Sequence, residues 1–279
     1  LGERCRGGID LQVGHGTWIA CSRPAEDGGN VVVYRDGVET RVGNAGRDGR
    51  GVALAGDSIV FHEGAIGDHA IWLAKVGAEP RRISHVGAVA REPTLAAHGG
   101  HLYAAFAEIS VGGTPASTLF VSRDGTDAKQ LARPLAYSPT PRLTADERGL
   151  VLGYRDRVKE GARSELRVVR LDREARVVGA PQTVGRANDL GDPNLYGCGD
   201  LLAALLPREY GGERYVGIHA LDEQLRALGN GHQLYQSGHD FTLAAGACAP
   251  HGLQLFAAER AAPSNPGVQA IALRFQCAE

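Results

Sequence analysis

Charged and amide side chains recur at matched places along this chain. Three residues ahead of six leucines, Leu11, Leu54, Leu95, Leu143, Leu195 and Leu243, stand Gly8, Gly51, Glu92, Thr140, Asp192 and Asp240. One place further out are Arg50, Arg91 and His239, and Arg142 and Asn194 directly precede their leucines. A second set closes the apolar runs that follow: Glu63, Glu108, Arg155-Asp156, Arg208-Glu209 and Glu259-Arg260. Guanidinium groups interleaved with carboxylates suit a polar, charged small molecule. Arginine clamps an anion through parallel N–H bonds, and paired carboxylates supply an acid and a base or nucleophile. The same mixture also forms weak pairs with itself on any solvated rim.

The elements that would position these groups are set by an internal repeat. Glu92-Pro93-Thr94-Leu95, Thr140-Pro141-Arg142-Leu143 and Asp192-Pro193-Asn194-Leu195 each open a short apolar strand. A Gly-containing hairpin and a second strand follow, as in Leu102 to Glu108 and Leu150 to Asp156. Then come a polar loop, a third strand, and a turn bearing Asp124, Asp172 or Asp222. The leucines are spaced by 43, 41, 48, 52 and 48 residues, which fits four-stranded units of roughly 40 to 50 residues. This predicts an all-β fold, one six-bladed β-propeller of four-stranded blades near residues 9–50, 51–91, 92–139, 140–190, 191–238 and 239–279. A strand from residues 1–6 would complete the last blade and close the ring, removing its free edge. The loops entering first strands and those leaving second strands share one face, so both sets of charged residues converge on one mouth.

Composition narrows the partners. A formal net charge of −2 gives no broad cationic surface for nucleic acid, and no apolar run reaches the roughly 18 residues of a membrane span. The chain starts at Leu1 without a signal-like segment, so that any leader would already be absent. Five cysteines lack a C-x-x-C pair. Their places in the repeat favour disulfides Cys5–Cys277 and Cys198–Cys248, with Cys21 left as a core thiol. Such bridges belong to a secreted, periplasmic or cell-surface protein.

Arg91-Glu92-Pro93-Thr94-Leu95, followed by the strand Leu102 to Glu108, resembles the opening blade of sialidases, in which an Arg-Ile-Pro motif starts one strand and a Glu ends the next, with Glu92 here in the place of the Ile. Phe256 to Arg260 repeats that ending. Val121-Ser122-Arg123-Asp124-Gly125-Thr126 is similar to the Asp-box of that family, without its Trp and with its glycine one place early. The Arg91 motif lies in the third repeat, not the first. The resemblance implies a charged glycan as ligand and carries over Arg91 as a clamp for its carboxylate, with Arg50 and Arg142 nearby, while Glu92, Asn194, His239 and Arg260 join the ligand site by their position at the mouth. Carboxylates among Glu108, Asp192, Asp240 and Glu259 would supply the acid and the nucleophile or base of hydrolysis.

Two other classes share this fold pattern. A non-catalytic propeller would present a face to a partner protein. A calcium-dependent lactonase or esterase would hold the ion on Glu92, Asp192 and Asp240 with Asn194, since hard cations gather several oxygens. Nothing in the sequence requires a cofactor. His62-Glu63 through Asp68-His69 reads as a solvent-facing loop with the ligand types of a transition-metal site, and His98 and His101 as exposed residues of the opposite face. Ser237-Gly238-His239-Asp240 cannot form a catalytic relay between such close sequence neighbours. The Gly-rich stretch Gly43 to Gly51 lacks the Lys and the helix of a phosphate loop.

Overall fold

A computed structural model of the chain describes residues 9–14, 16–22, 31–44, 47, 49–65, 68–110, 116–131, 135, 139–157, 163–187, 192–199, 201–210, 213–237, 240–249, 252–260 and 268–276. Among them there are no helices, hence none long and apolar enough to cross a membrane. The strands form six antiparallel sheets.

Sheet one comprises β1 (Ile9–Gly14), β2 (Gly16–Ser22), β3 (Val31–Arg35) and β4 (Val38–Arg41). Sheet two comprises β5 (Gly49–Ala55), β6 (Ser58–Glu63), β7 (Ala70–Lys75) and β8 (Arg81–Arg82). Sheet three has β9 (Val89–His98), β10 (His101–Ile109), β11 (Ser117–Arg123) and β12 (Lys129–Gln130). Sheet four has β13 (Arg142–Asp146), β14 (Gly149–Asp156), β15 (Ser164–Leu171) and β16 (Val177–Ala187). Sheet five has β17 (Asn194–Cys198), β18 (Leu201–Tyr210), β19 (Glu213–Leu221) and β20 (His232–Ser237). Sheet six, among the described residues, has three strands: β21 (Asp240–Ala249), β22 (Gly252–Arg260) and β23 (Val268–Gln276). The expected closing strand, residues 1–6, lies outside the described residues.

Each sheet is a meander, so sequence order equals spatial order. The first strands β1, β5, β9, β13, β17 and β21 neighbour one another in that order, and β21 returns to β1, which makes a closed ring around a channel. The repeat leucines hold equivalent places: Leu11 pairs with Ile19, Leu54 with Ile59, Leu95 with Ala104, Leu143 with Leu152 and Leu195 with Ala204.

The core lies between sheets. Among the described residues, five of the six apolar clusters take residues from two neighbours, for example Tyr103 and Leu119 of sheet three with Leu143 and Leu152 of sheet four, or Val151 and Leu166 of sheet four with Leu195 and Leu206 of sheet five. Second strands are therefore covered on both faces, and all six residues of β6 are buried. The outer strands β8 and β12 are two residues long, which shortens the exposed edge.

The side chains next to the leucines point to the following sheet and accept its backbone N–H groups. Asp10 Oδ2 accepts from Leu54 N at 2.7 Å and Thr94 Oγ1 from Leu143 N at 3.0 Å. On the other side of the leucine, Gln12 Oε1 accepts from Gly56 N at 2.8 Å and Thr144 Oγ1 from Gly197 N at 3.0 Å. A first strand has no sheet partner on its channel side, so these bonds satisfy groups that would otherwise be left unpaired.

Aspartate turns lock the far end of the sheets. In the two-residue loop of β3 and β4, Asp36 and Gly37 both have positive φ, 49° and 86°, the twist that a tight hairpin needs. Asp36 Oδ1 accepts from Thr17 N, and Asp124 Oδ1 from Leu102 N at 2.9 Å. Asp172 and Asp222 each accept two N–H groups within their own turns. Close by, Arg170 grips the buried Asp146 with two bonds of 2.8 and 2.7 Å. His101, expected to be free in solvent, is half-buried with Nδ1 at 2.7 Å from Asp124 Oδ2, because the Asp turn folds back over its hairpin.

Cys21 and Cys198 are both in disulfide linkage. Cys21 is thus not a core thiol, and with it bonded Cys5–Cys277 and Cys198–Cys248 cannot both form among five cysteines. Cys5, Cys277 and the Cys248 side chain lie outside what is described.

Replacing Thr94 with Val keeps the shape but strands the Leu143 N–H in a buried place. We expect a loss of about 1–3 kcal/mol in unfolding free energy, measured by urea denaturation. An unchanged value would mean that the inter-sheet bonds contribute nothing.

Candidate functional site

The mouth is built where first strands begin and second strands end. Glu92 and Thr140 hold the same repeat position and both sit in the left-handed region, with φ of 56° and 39°. Such backbone is uncommon for residues with a side chain and costs on the order of 1–3 kcal/mol. Glu92 Oε2 accepts from Thr140 N at 2.9 Å, tying sheet three to sheet four. Thr140 Oγ1 is buried without a hydrogen-bond partner.

Sheets four and five are joined in the same layer. Arg142 donates from Nε to Asn194 Oδ1 and from Nη1 to its neighbour Pro141 O, both at 2.9 Å. Arg155 Nη1 lies 3.8 Å from Asp192 Oδ1, and its backbone N–H donates to Pro139 O. Glu92, Arg142, Asn194, Arg155 and Asp192 are thus held as one arc of the rim. Arg50 and Arg91 are exposed at the starts of β5 and β9. For sheet six the backbone places Asp240 opposite Arg260 and Phe241 opposite Glu259, at the mouth end. The side chains of Asp240, Glu259 and Arg260, and all of His239, lie outside what is described.

Glu108 is buried, and both its oxygens serve His85. Oε1 accepts from His85 N at 2.8 Å, and His85 Nδ1 lies 2.9 Å from Oε2. The imidazole is half-exposed and meets Phe120 edge-on. Glu108 therefore orients a histidine and holds the loop that leads from sheet two to sheet three. No signal in the repeat marks His85, because it belongs to a connection of irregular length.

Glu63, the matching residue of sheet two, does the same for the preceding connection: its Oε2 accepts from Asn44 Nδ2. Its other oxygen is buried without a partner. Burial pushes the Glu63 carboxyl above its ordinary range, against the Asn44 bonds and the Arg47 charge, which pull it down. His62 and His69 are buried beside it, with ring centroids 5.1 Å apart. The two histidines, expected in a solvent-facing loop, are thus packed at the end of β6 and just before β7, while Ala65 and Asp68 between them are exposed.

Beneath the rim, Tyr196 is half-buried one place after Leu195. Burial pushes its phenol up, Asp10 adds to the rise and Arg142 opposes it. At the opposite end of the sheets a cleft of about 330 Å³ is lined by Arg123, Asp124, Lys129 and Glu174. It is remote from the mouth. Among the described residues no three His, Cys, Asp or Glu side chains gather as a metal site. Glu92 and Asp192 engage Thr140 and Arg155.

No protein-family profile and no curated protein sequence matches the chain. Solved structures do. A sialidase of Trypanosoma rangeli aligns with a TM-score of 0.61 at 10% identity, covering 98% of this chain and 55% of that one. The chain has a sialidase-like β-propeller fold. An ulvan lyase of a polysaccharide lyase family aligns with a TM-score of 0.62 at 10% identity, over 96% of this chain and 79% of the lyase. An endo-arabinase of Bacteroides thetaiotaomicron aligns at 0.49 with 13% identity, over 80% and 91% of the two chains. At these identities the likeness is one of fold, and function must be argued from the site.

In this propeller the raised Glu63 carboxyl favours the fold at acid pH, and that contribution is lost as pH rises through the raised value. Glu63→Gln removes the buried charge. It should raise the melting temperature by ~2–4 °C near pH 7.5 and change it little near pH 4, as followed by thermal unfolding at both. An equal fall at both would contradict this account.

Proposed function

We propose that this propeller binds an acidic saccharide at the mouth of its channel and hydrolyses it there. The observation that carries the reading is the arc from Glu92 to Asp192, in which bonds between sheets fix a guanidinium, Arg142, and set a second, Arg155, beside Asp192. Fixed guanidiniums suit a carboxylate because little side-chain entropy remains to be lost on binding. Arg50 and Arg91 are exposed along the same rim, and Arg260 and His239 would join it by their places in the repeat.

Asp192 and Asp240 occupy the same repeat position on neighbouring sheets and are the carboxylates we assign to acid and base work. Glu108 acts through His85, and Glu259 lies on the paired strand opposite Phe241, the residue after Asp240. The fold neighbours include a sialidase and a polysaccharide lyase, which agrees with a carbohydrate ligand. The disulfide linkage of Cys21 and Cys198 supports an extracytoplasmic setting. We assign Cys198–Cys248 as a bond between sheets five and six.

Calorimetric titration with sialyl- and uronate-containing oligosaccharides, and with neutral counterparts, tests the reading. The acidic ligands should bind and the neutral ones should not, and Arg142→Ala should weaken binding about tenfold or more, as expected for a lost charged hydrogen bond. Equal binding of acidic and neutral sugars, or of neither, would overturn it.

A further inference from the structure

Tyr196 is a tyrosine placed inside the ring by the same register that places the inter-sheet bonds. It follows Leu195 as Gln12 follows Leu11 and Thr144 follows Leu143, and those two side chains turn toward the next sheet. Its ring packs on the apolar cluster between sheets five and six, with Leu205 and Leu253. Its phenol feels two charges carried by other first strands, Asp10 on β1 and Arg142 on β13. Arg142 bonds Asn194 at 2.9 Å, and Asn194 lies two residues before Tyr196 on β17, so the guanidinium is held on the face of the strand that bears Tyr196.

Asp10 is already held by Leu54 N and Arg142 by Asn194. Neither the Tyr196 hydroxyl nor Arg142 Nη2 has a hydrogen-bond partner among the described residues. A half-buried phenol usually has one, so an unused donor here is set for a ligand. Tyr196 stands two residues further along the strand line than Asn194, about 6–7 Å deeper than the rim.

We propose that Tyr196 and Arg142 form a donor pair in the channel that receives the carboxylate of the bound saccharide, the neutral phenol and the guanidinium each giving one hydrogen bond. The inference rests on the acidic-saccharide reading and adds the residue that would set its depth. The phenol acts as a donor, not as a nucleophile: burial and Asp10 both oppose its ionisation.

The experiment compares wild type, Tyr196→Phe and Arg142→Ala by calorimetry, with glucuronic acid, N-acetylneuraminic acid and the uncharged methyl glucoside as probes. Tyr196→Phe should bind both acids about tenfold more weakly, with its melting temperature unchanged. The ratio of wild-type to Tyr196→Phe affinity should stay constant from about pH 6 to pH 9, because a neutral donor does not titrate there. If wild type binds no acid, the acidic-saccharide reading falls and this pairing with it. If wild type binds and Arg142→Ala does not, while Tyr196→Phe binds as wild type, the Tyr196 pairing alone is overturned. A ratio that falls within that pH range would also overturn it, since it would mark an ionised phenol.

Discussion

The channel edge of each first strand is an unpaired sheet edge, and satisfying it without another strand is the constraint from which the rest of the architecture follows. A strand alternates its side chains between two faces. Here Leu54, Leu95, Leu143 and Leu195 turn back into the core shared with the preceding sheet. The residues on either side turn forward, and Asp10, Gln12, Thr94 and Thr144 accept N–H groups of the next first strand. One alternation therefore builds the core between sheets and pins neighbouring sheets at a fixed register.

The mouth inherits that register. Arg142 precedes its leucine as Thr94 does, but its guanidinium reaches a side chain, Asn194, in place of a backbone group. The candidate site thus carries a guanidinium at a place where the neighbouring repeat has a threonine. The left-handed backbone at Glu92 and Thr140 fits this pattern. Both precede a proline, which keeps the preceding residue out of the ordinary helical region, and the bond between them holds the two entrances together. Strain in a repeat fold is tolerated where both neighbours over-determine the geometry.

The period was legible because it depends on residues within one sheet. Leucine spacing, hairpin glycines and turn aspartates are local, and the structure keeps them at the expected places. What depends on two sheets was less legible. Glu108 reads as a mouth carboxylate by position, yet its oxygens are occupied by His85 from the connection before its own sheet. His62 and His69 read as a solvated loop because the sequence between them is polar and Gly-rich, whereas neighbouring strands cover both. Tyr196 carried no motif at all. Its signal was its position one place after a leucine, and that acquires meaning only when Gln12 and Thr144 reveal where such side chains go.

The two ends of the sheets also hold their acids differently. At the turn end, burial pushes the Asp146 carboxyl up, but the Arg170 bonds outweigh it and hold the group below its ordinary range. Its contribution to stability is present above the usual carboxylate values and fades as pH falls through the lowered one. Glu63 at the mouth end has the opposite sign, because burial there outweighs Asn44 and Arg47. Acid thus loosens the turns while removing a buried charge from the mouth. Acid therefore acts with opposite sign on these two buried carboxyls, one at each end of the sheets.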